Sequence, residues 1–409
     1  MSEEIVIVGG GLSAARVVKG YREAGGEGGL TMISADSALP YNRPPLSKGF
    51  LRGETEEEKV FVEPASFYAD AGVDVRLETA VTAVDTGKRE VELEGGERLG
   101  YGKLVLAAGS TPRTLGIPGE DLDGVHLYRT LANARTVRDA AADARRALVI
   151  GGSFIGMETT ASLTARGVEV TQVELADSLY ASLRAPEVSR SLERLYRDRG
   201  VEVVLEDSVA EFRGAGGRLT GAVTKGGREI EADLAIVGVG VTPSVGFLDG
   251  SGIEVDNGVV VNERFETSVE DVYAVGDLAH FYDPVFGHDR RIEHWTNANH
   301  QGERAGRLLA GEDAPYDYVA LFFSEVFGLR LGLLGDLDRG HDELVLRGSL
   351  EEGSLLGLYL LEGTLVAALL HNQDDETQER LRALLRGHAT VSDRRAFDDA
   401  EVAPVEAFA

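Results

Sequence analysis

The chain contains no cysteine. That excludes disulfides, thiolate metal sites and Cys-held iron–sulfur clusters. It also excludes a redox-active thiol of its own. Positive charge is scarce: 41 Lys+Arg stand against 69 Asp+Glu, a net charge of −28. Such a balance opposes a nucleic-acid partner or an anionic membrane surface. Only six lysines occur (Lys19, Lys48, Lys59, Lys88, Lys103, Lys225). This acidic, arginine-rich, lysine-poor make-up reads as a GC-rich genome before it reads as salt adaptation. No apolar run approaches the ~20 residues of a membrane span. Met1-Ser2-Glu3-Glu4 leads straight into an apolar strand without a basic n-region, so no secretory signal is expected and a cytoplasmic location is. The eight histidines are scattered, and neither a metal cluster nor a catalytic triad emerges from them; only His294, beside Trp295, stands out.

What is present is glycine, 51 residues in clusters, in a chain of otherwise ordinary composition. At about 100–200 residues per domain, 409 residues make roughly two to four domains. Residues 4–8, Glu-Ile-Val-Ile-Val, form a buried parallel-type strand, followed by a Gly9–Ala14 turn, a helical pattern to about Glu23, and a second strand, Leu30–Ser34, ending at Asp36. The same order returns about 140 residues later. Ala147–Ile150 is a strand, Gly151–Gly156 a turn, a helix runs to about Arg166, and Val168–Val173 ends at Glu174. Two copies predict two nucleotide-binding domains. Alternating stretches, Val73–Val84 with Arg89–Leu93 and Val201–Phe212 with Leu219–Ile230, precede buried-type strands at Lys103–Ala107 and Leu234–Val237. From about Tyr316 the pattern becomes an antiparallel sheet (Leu331–Leu334, Glu343–Leu346, Leu355–Leu361, Thr364–Leu370) with a helix over Asp375–Leu385. Residues 316–409 hold 18 acids and 8 arginines, so they do not read as a basic docking module.

The Gly9-x-Gly11-x-x-Ala14 turn suits a pyrophosphate. Gly9 permits the turn, Gly11 lets phosphate approach the backbone, and Ala14 lets the helix pack closely, with the helix N-terminus aimed at the anion. Asp36 stands where a carboxylate accepts from ribose hydroxyls. In the second turn, with Gly151 and Gly152, Ser153 replaces the second glycine and Gly156 the third; serine costs clearance but offers a hydroxyl to phosphate. Glu174 would pair with a ribose 2′-OH and repel a 2′-phosphate, and Leu175 follows it rather than a cation, so NADH is favoured over NADPH.

Two further segments follow, Leu104-Val105-Leu106-Ala107-Ala108-Gly109 and Thr267–Asp277, the latter ending in Gly276-Asp277. With the glycine turns they resemble the four fingerprints of flavoproteins that bind two dinucleotides. Tyr41-Asn42-Arg43-Pro44-Pro45-Leu46-Ser47-Lys48 and Glu293–Gly302 narrow the resemblance to the FAD-dependent NADH:ferredoxin and rubredoxin reductases of oxygenase systems, with the related apoptosis-inducing-factor-like flavoproteins. The resemblance implies an α/β fold: two Rossmann-like dinucleotide-binding domains of the glutathione-reductase type and a C-terminal α+β domain. The expected boundaries are 1–112 with 243–315 for FAD, 113–242 for NAD(H), and 316–409 for the C-terminal domain. It implies FAD contacts at Ser13, Asp36, Arg43, Lys48, Val81, Arg129, Asp277 and Trp295, alongside Gly9, Gly11, Ala14, Ala108 and Gly109. It implies that Ile155, Glu158 and Glu174 face NADH, with Gly240 beside the nicotinamide, and that Lys48 and Glu158 meet as a catalytic ion pair near flavin N5. Gln301, Arg304 and Arg307 read instead as a solvent-facing helix surface.

The chemistry of such a protein belongs to its cofactors. NADH passes a hydride to FAD; the helix beginning near Asn297 would aim its N-terminus at the flavin's negative side. Without a cysteine, electrons should leave singly to a partner that carries its own redox centre, a small [2Fe–2S] ferredoxin or a rubredoxin. The net charge opposes an acidic partner at long range; a local basic patch would have to overcome this, with Arg290, Arg291, Arg394 and Arg395 as candidate members, though single arginines do not establish one. Phe322-Phe323-Ser324-Glu325-Val326-Phe327 departs from the Phe-Trp-Ser-Asp-x-Tyr form of the oxygenase reductases. Two alternatives therefore stay open: an NADH-sensing flavoprotein of the apoptosis-inducing-factor kind, and an NADH-dependent reductase of a small acceptor such as a quinone or monodehydroascorbate. A monomer or a homodimer fits equally.

Overall fold

The computed structural model describes residues 4–313, 316–399 and 401–408. The N-terminal Met1–Glu3 reading and the boundary after Pro315 fall outside them. The chain divides into two compact units: Met1–Pro44, Glu57–Thr111 and Val241–Tyr318 in the first, and Pro45–Glu56, Pro112–Gly240 and Val319–Ala409 in the second.

The first unit is built on a five-stranded parallel sheet. Its order is Val272–Ala274, Lys103–Leu106, Ile5–Val8, Leu30–Ile33, Val73–Arg76. Ile5–Val8 is central and buried along its whole length, as a strand covered on both faces must be. The helix Leu12–Glu23 follows it and packs on the helix Trp295–Leu309. Glycine makes that close approach available: a Cβ on Gly302 would come within 2.9 Å of the Ser13 Cα, and one on Gly306 within 2.6 Å of the Tyr21 backbone nitrogen.

The second unit repeats the sheet. Val125–Leu127, Leu234–Val237, Arg146–Ile150, Glu169–Val173 and Glu202–Val204 lie in parallel in that order, again with the strand before the glycine turn at the centre. A core of Leu148, Ile150, Val173, Phe212, Ala235 and Val237 fills the space beside it. The C-terminal part is a five-stranded antiparallel sheet, ordered Leu321–Val326, Leu329–Gly335, Thr364–His371, Ser354–Leu361, Glu343–Ser349, with the helix Asp375–Arg386 against it. Leu381, Leu384 and Leu385 are that helix's buried face, as its spacing predicts.

Two alternating stretches turn out to be two strands each. Val73–Val84 breaks into Val73–Arg76, which joins the parallel sheet, and Val81–Asp85, which belongs to a small antiparallel one. Val201–Phe212 divides in the same way into Glu202–Val204 and Val209–Ala215. At the breaks Glu78 and Glu206 hold left-handed backbone, φ +50° and +55°. No glycine marks either position, so the alternation reads straight through it. No helix among the described residues is long and apolar enough to cross a membrane.

Candidate functional site

In the first unit the Gly9 turn leaves the central strand at φ +126°, and a Cβ there would collide with the Ala107 backbone. Gly11, at the start of the helix, opens onto space in which the nearest group to a Cβ would be the Arg43 guanidinium, 3.8 Å away. Backbone N–H groups at a helix N-terminus beside an arginine form a cradle fitted to phosphate. Asp36, at the tip of the next strand, accepts from the Ala38 N–H at 3.1 Å through Oδ1 and from the Tyr41 hydroxyl at 2.7 Å through Oδ2. The guanidinium of Arg43 lies 5.8 Å from the Tyr41 ring centroid, so Asp36, Tyr41 and Arg43 are held together.

The other expected FAD residues of this unit lie on several of its elements. Ser13 donates its hydroxyl to the Ala298 carbonyl at 3.0 Å, tying the two packed helices. Ala14 is buried between helix and sheet. Val81 opens its strand half-buried. Ala108 and Gly109 follow the Lys103–Leu106 strand, Gly109 at φ +68°. Asp277 sits in the 3-10 turn Gly276–Leu278, its carbonyl accepting from Arg291 at 3.0 Å. Trp295 opens the helix expected near Asn297 and donates from its indole to the Asn42 side chain at 2.8 Å. His294 is the cap of that helix.

Gln301 is the correction here. It is 0% exposed, not solvent-facing, and its Oε1 accepts from the Gly276 N–H at 2.8 Å. It braces the Gly276–Asp277 turn from the helix interior. Gln301→Leu leaves that buried N–H without its acceptor, a cost of about 1–3 kcal/mol. Thermal unfolding of the variant and the FAD it retains after gel filtration should both fall; a variant equal to the parent in both would remove Gln301 from this role.

In the second unit Gly151 turns at φ +114° against the Gly238 backbone, and Gly156 packs against the Gly151 carbonyl. Ser153 is the N-cap of the helix Phe154–Ala165, is exposed, and makes no side-chain capping bond. Glu174 folds back over this turn, accepting from Ala176 N–H at 2.7 Å and from Gly152 N–H. Ile155 is exposed beside it, and Leu175 is 72% exposed. Gly240 lies exposed at φ +96°, its carbonyl accepting from Arg113 N–H at 3.0 Å. Arg129 is half-buried just before the capped helix Leu131–Asp143.

Lys48 belongs to this unit, on the short segment Leu46–Phe50. Tyr128 donates to the Leu46 carbonyl at 2.6 Å, Ser162 to that of Ser47 at 2.7 Å and Arg166 to that of Leu51 at 2.9 Å. So pinned, Lys48 places its Nζ 2.8 Å from Glu158 Oε2, as expected of the pair. Glu158 is 4% exposed and lies in the second turn of its helix, so it is no helix-terminal acid. Ser47 donates to the same oxygen and Ser324 to Oε1 at 2.8 Å; Tyr180 in turn donates to Ser324 at 2.6 Å. Burial first, and the Glu158 charge second, push the phenols of Tyr128 and Tyr180 upward, so both remain protonated donors. Ser47, Ser324 and Tyr180 were not found from sequence; a serine kept inside a diverged Phe-rich segment was the available signal.

The four arginines named as candidates for a basic patch are each paired with a carboxylate. Arg290 is buried against Asp283, Arg291 pairs with Glu293, Arg394 with Glu343 and Arg395 with Asp393. Each candidate cation already faces a carboxylate.

Residues 3–302 match the model of the pyridine nucleotide-disulphide oxidoreductase family. The chain belongs to that family. It is 36% identical over 366 residues to a ferredoxin–NAD(P)+ reductase of Sphingomonas sp., covering 89% of this chain and 88% of that one. A solved ferredoxin reductase from Rhodopseudomonas palustris superposes with a TM-score of 0.94 at 30% identity, covering all of both chains. The covalent putidaredoxin reductase–putidaredoxin complex superposes at 0.93 and 30% identity, covering 99% of this chain and 97% of that one. The family's cofactors are FAD and NADH, which fit the two glycine cradles. Its name refers to a disulphide, but this member has no sulfur to form one.

Proposed function

We propose that this protein is an NADH-dependent flavoprotein reductase that passes electrons singly to a small iron–sulfur protein, a [2Fe–2S] ferredoxin or a rubredoxin. The observation that carries the reading is the buried Lys48–Glu158 pair, set in a unit with its own glycine cradle, in a chain without a thiol. The activities of the relatives, ferredoxin–NAD(P)+ reductase among them, support the same acceptor class. FAD, when bound, supplies the chemistry: it takes a hydride from NADH and releases electrons one at a time.

The chain's own residues bind and orient. Gly9, Gly11 and Ala14 admit the FAD pyrophosphate, Arg43 adds a cation, and Asp36 takes the adenosine ribose. Asp277, Trp295, Val81, Ala108, Gly109, Ser13 and Arg129 complete the FAD set. Gly151, Gly152, Ser153 and Gly156 admit the NADH pyrophosphate; Glu174 takes its ribose, and Ile155 and Gly240 border the nicotinamide. Lys48 would offer a positive charge to the N5 side of the flavin, and Glu158 would hold that charge in place. Residues 1–112 with 243–315 serve FAD, 113–242 serve NADH, and 316–409 form the third domain. An NADH-consuming reaction belongs with the coenzyme pool of the cytoplasm.

The test is anaerobic. Purified FAD-loaded protein, reduced with NADH, is mixed with small iron–sulfur proteins from its own organism, and their reduction is followed by absorbance. Reduction of at least one at a rate matching turnover is expected; reduction of none overturns the reading.

A further inference from the structure

Glu158 is gripped from two separate stretches of chain. Lys48 and Ser47, on the segment before the nucleotide-binding fold, both address Oε2. Ser324, on the first strand of the C-terminal sheet, addresses Oε1 at 2.8 Å. Tyr180 backs Ser324, and Tyr128 and Tyr196 are the further phenols that feel the Glu158 charge. A serine hydroxyl has one proton to give. Tyr180 is buried and held protonated, so it donates to Ser324, and the Ser324 proton points to Glu158. The direction of the chain is therefore set: Tyr180 to Ser324 to Glu158.

A carboxylate's terminal torsion is soft and roughly two-fold. Held by Oε2 alone, the Glu158 carboxylate would turn about its last bond and carry the Lys48 ammonium with it. Held at both oxygens it has one plane. Ser324 is itself buried, and T-shaped packing of Phe154 on Tyr180, centroids 5.4 Å apart, fixes the hydroxyl behind it. The sheet in which Ser324 sits is tied down again where Tyr359 donates to the Leu183 carbonyl at 2.6 Å.

We propose that Ser324 is a positioning residue for hydride transfer: through Oε1 of Glu158 it fixes where Lys48 presents its charge, so that the C-terminal sheet supplies part of the reductase site. The inference rests on the NADH-to-FAD reading above and names a residue that acts through Glu158 without touching either cofactor.

The experiment compares parent, Ser324→Ala, Tyr180→Phe, Glu158→Gln and the Glu158→Gln/Ser324→Ala double variant, each as the FAD-loaded full chain. Stopped-flow mixing with NADH should show Ser324→Ala slowing flavin bleaching about tenfold, within what a displaced catalytic group costs, with NADH affinity little changed. Tyr180→Phe should act in the same direction but less. In the Glu158→Gln background, Ser324→Ala should add nothing, because the group it positions is already altered. Before any NADH is added, the visible flavin band of Ser324→Ala should be displaced from the parent's, a change that a generally loosened fold would not confine to the variants of this chain of donors. Parent-like rate and spectrum in Ser324→Ala overturn the inference, as does an undiminished effect in the Glu158→Gln background. If Ser324→Ala loses FAD, Tyr180→Phe decides by the same two readouts. A parent protein that NADH does not bleach would instead sink the reductase reading itself.

Discussion

Lys48→Ala is expected to slow the bleaching of bound FAD by NADH about a hundredfold, the order that loss or misplacement of one reacting-site group costs, while FAD stays bound. The separation of the two effects follows from the placement of Lys48. The residues proposed to hold the FAD pyrophosphate and ribose, the Gly9 turn, Arg43 and Asp36, belong to the first unit and Lys48 to the second, so Lys48→Ala leaves them intact and FAD should be retained. What disappears is the positive charge that Glu158 holds at 2.8 Å. The variant also leaves a buried carboxylate with hydroxyl donors only, from Ser47 and Ser324. Removing one partner of a buried pair costs about 3–5 kcal/mol, so thermal unfolding should fall as well. Lys48→Arg should recover stability better than rate, since a guanidinium restores the charge but not its position. Stopped-flow absorbance reads the rate, and an unchanged reductive half-reaction in Lys48→Ala would remove Lys48 from the mechanism.

The second large effect is on coenzyme choice. NADH should exceed NADPH in kcat/KM by about a hundredfold. The 2′-phosphate of NADPH would meet Glu174, whose carboxylate is anchored to Gly152 and Ala176 N–H groups and cannot easily turn away. Two like charges about 4 Å apart near a protein surface repel by about 4 kcal/mol, and screening leaves roughly 2–3 kcal/mol of that. The neighbouring Leu175 is exposed and offers the phosphate nothing. Glu174→Ala should narrow the preference chiefly by lowering kcat/KM for NADH and raising it for NADPH. Steady-state rates with each coenzyme check this; equal kcat/KM in the parent would refute the role of Glu174.

The features legible in the sequence are the local ones. A glycine turn between a buried strand and a helix needs neighbours only a few residues away, so Gly9 to Ala14 and Gly151 to Gly156 announce themselves, as does the acid at the tip of the following strand. Four strands of the C-terminal sheet and its helix were legible for the same reason, since alternation and a leucine face are short-range patterns; the strand Leu321–Val326 was not marked. The support around Glu158 is different in kind. Ser47, Ser324 and Tyr180 come from three distant stretches, and a lone serine or tyrosine carries no periodicity that says where its hydroxyl points. Gln301 misled because a glutamine amid arginines looks solvated; it is buried and accepts from the Gly276 N–H of a distant turn. The four arginines misled because a list of cations does not reveal the carboxylates that fold against them. Glu78 and Glu206 concealed two strand breaks, since left-handed backbone without glycine leaves no mark in composition.

The central claim is that NADH reduces a bound flavin whose electrons then leave singly, with no thiol taking part. One anaerobic double-mixing measurement addresses it: FAD-loaded protein is reduced with one equivalent of NADH and mixed with excess oxidised [2Fe–2S] ferredoxin, and in a parallel run with rubredoxin, while flavin and iron–sulfur absorbances are recorded together. The expected result is two equivalents of ferredoxin or of rubredoxin reduced per flavin, with the flavin band returning in step. A flavin that stays oxidised with NADH, or that returns to the oxidised state with both ferredoxin and rubredoxin unreduced, would contradict the account.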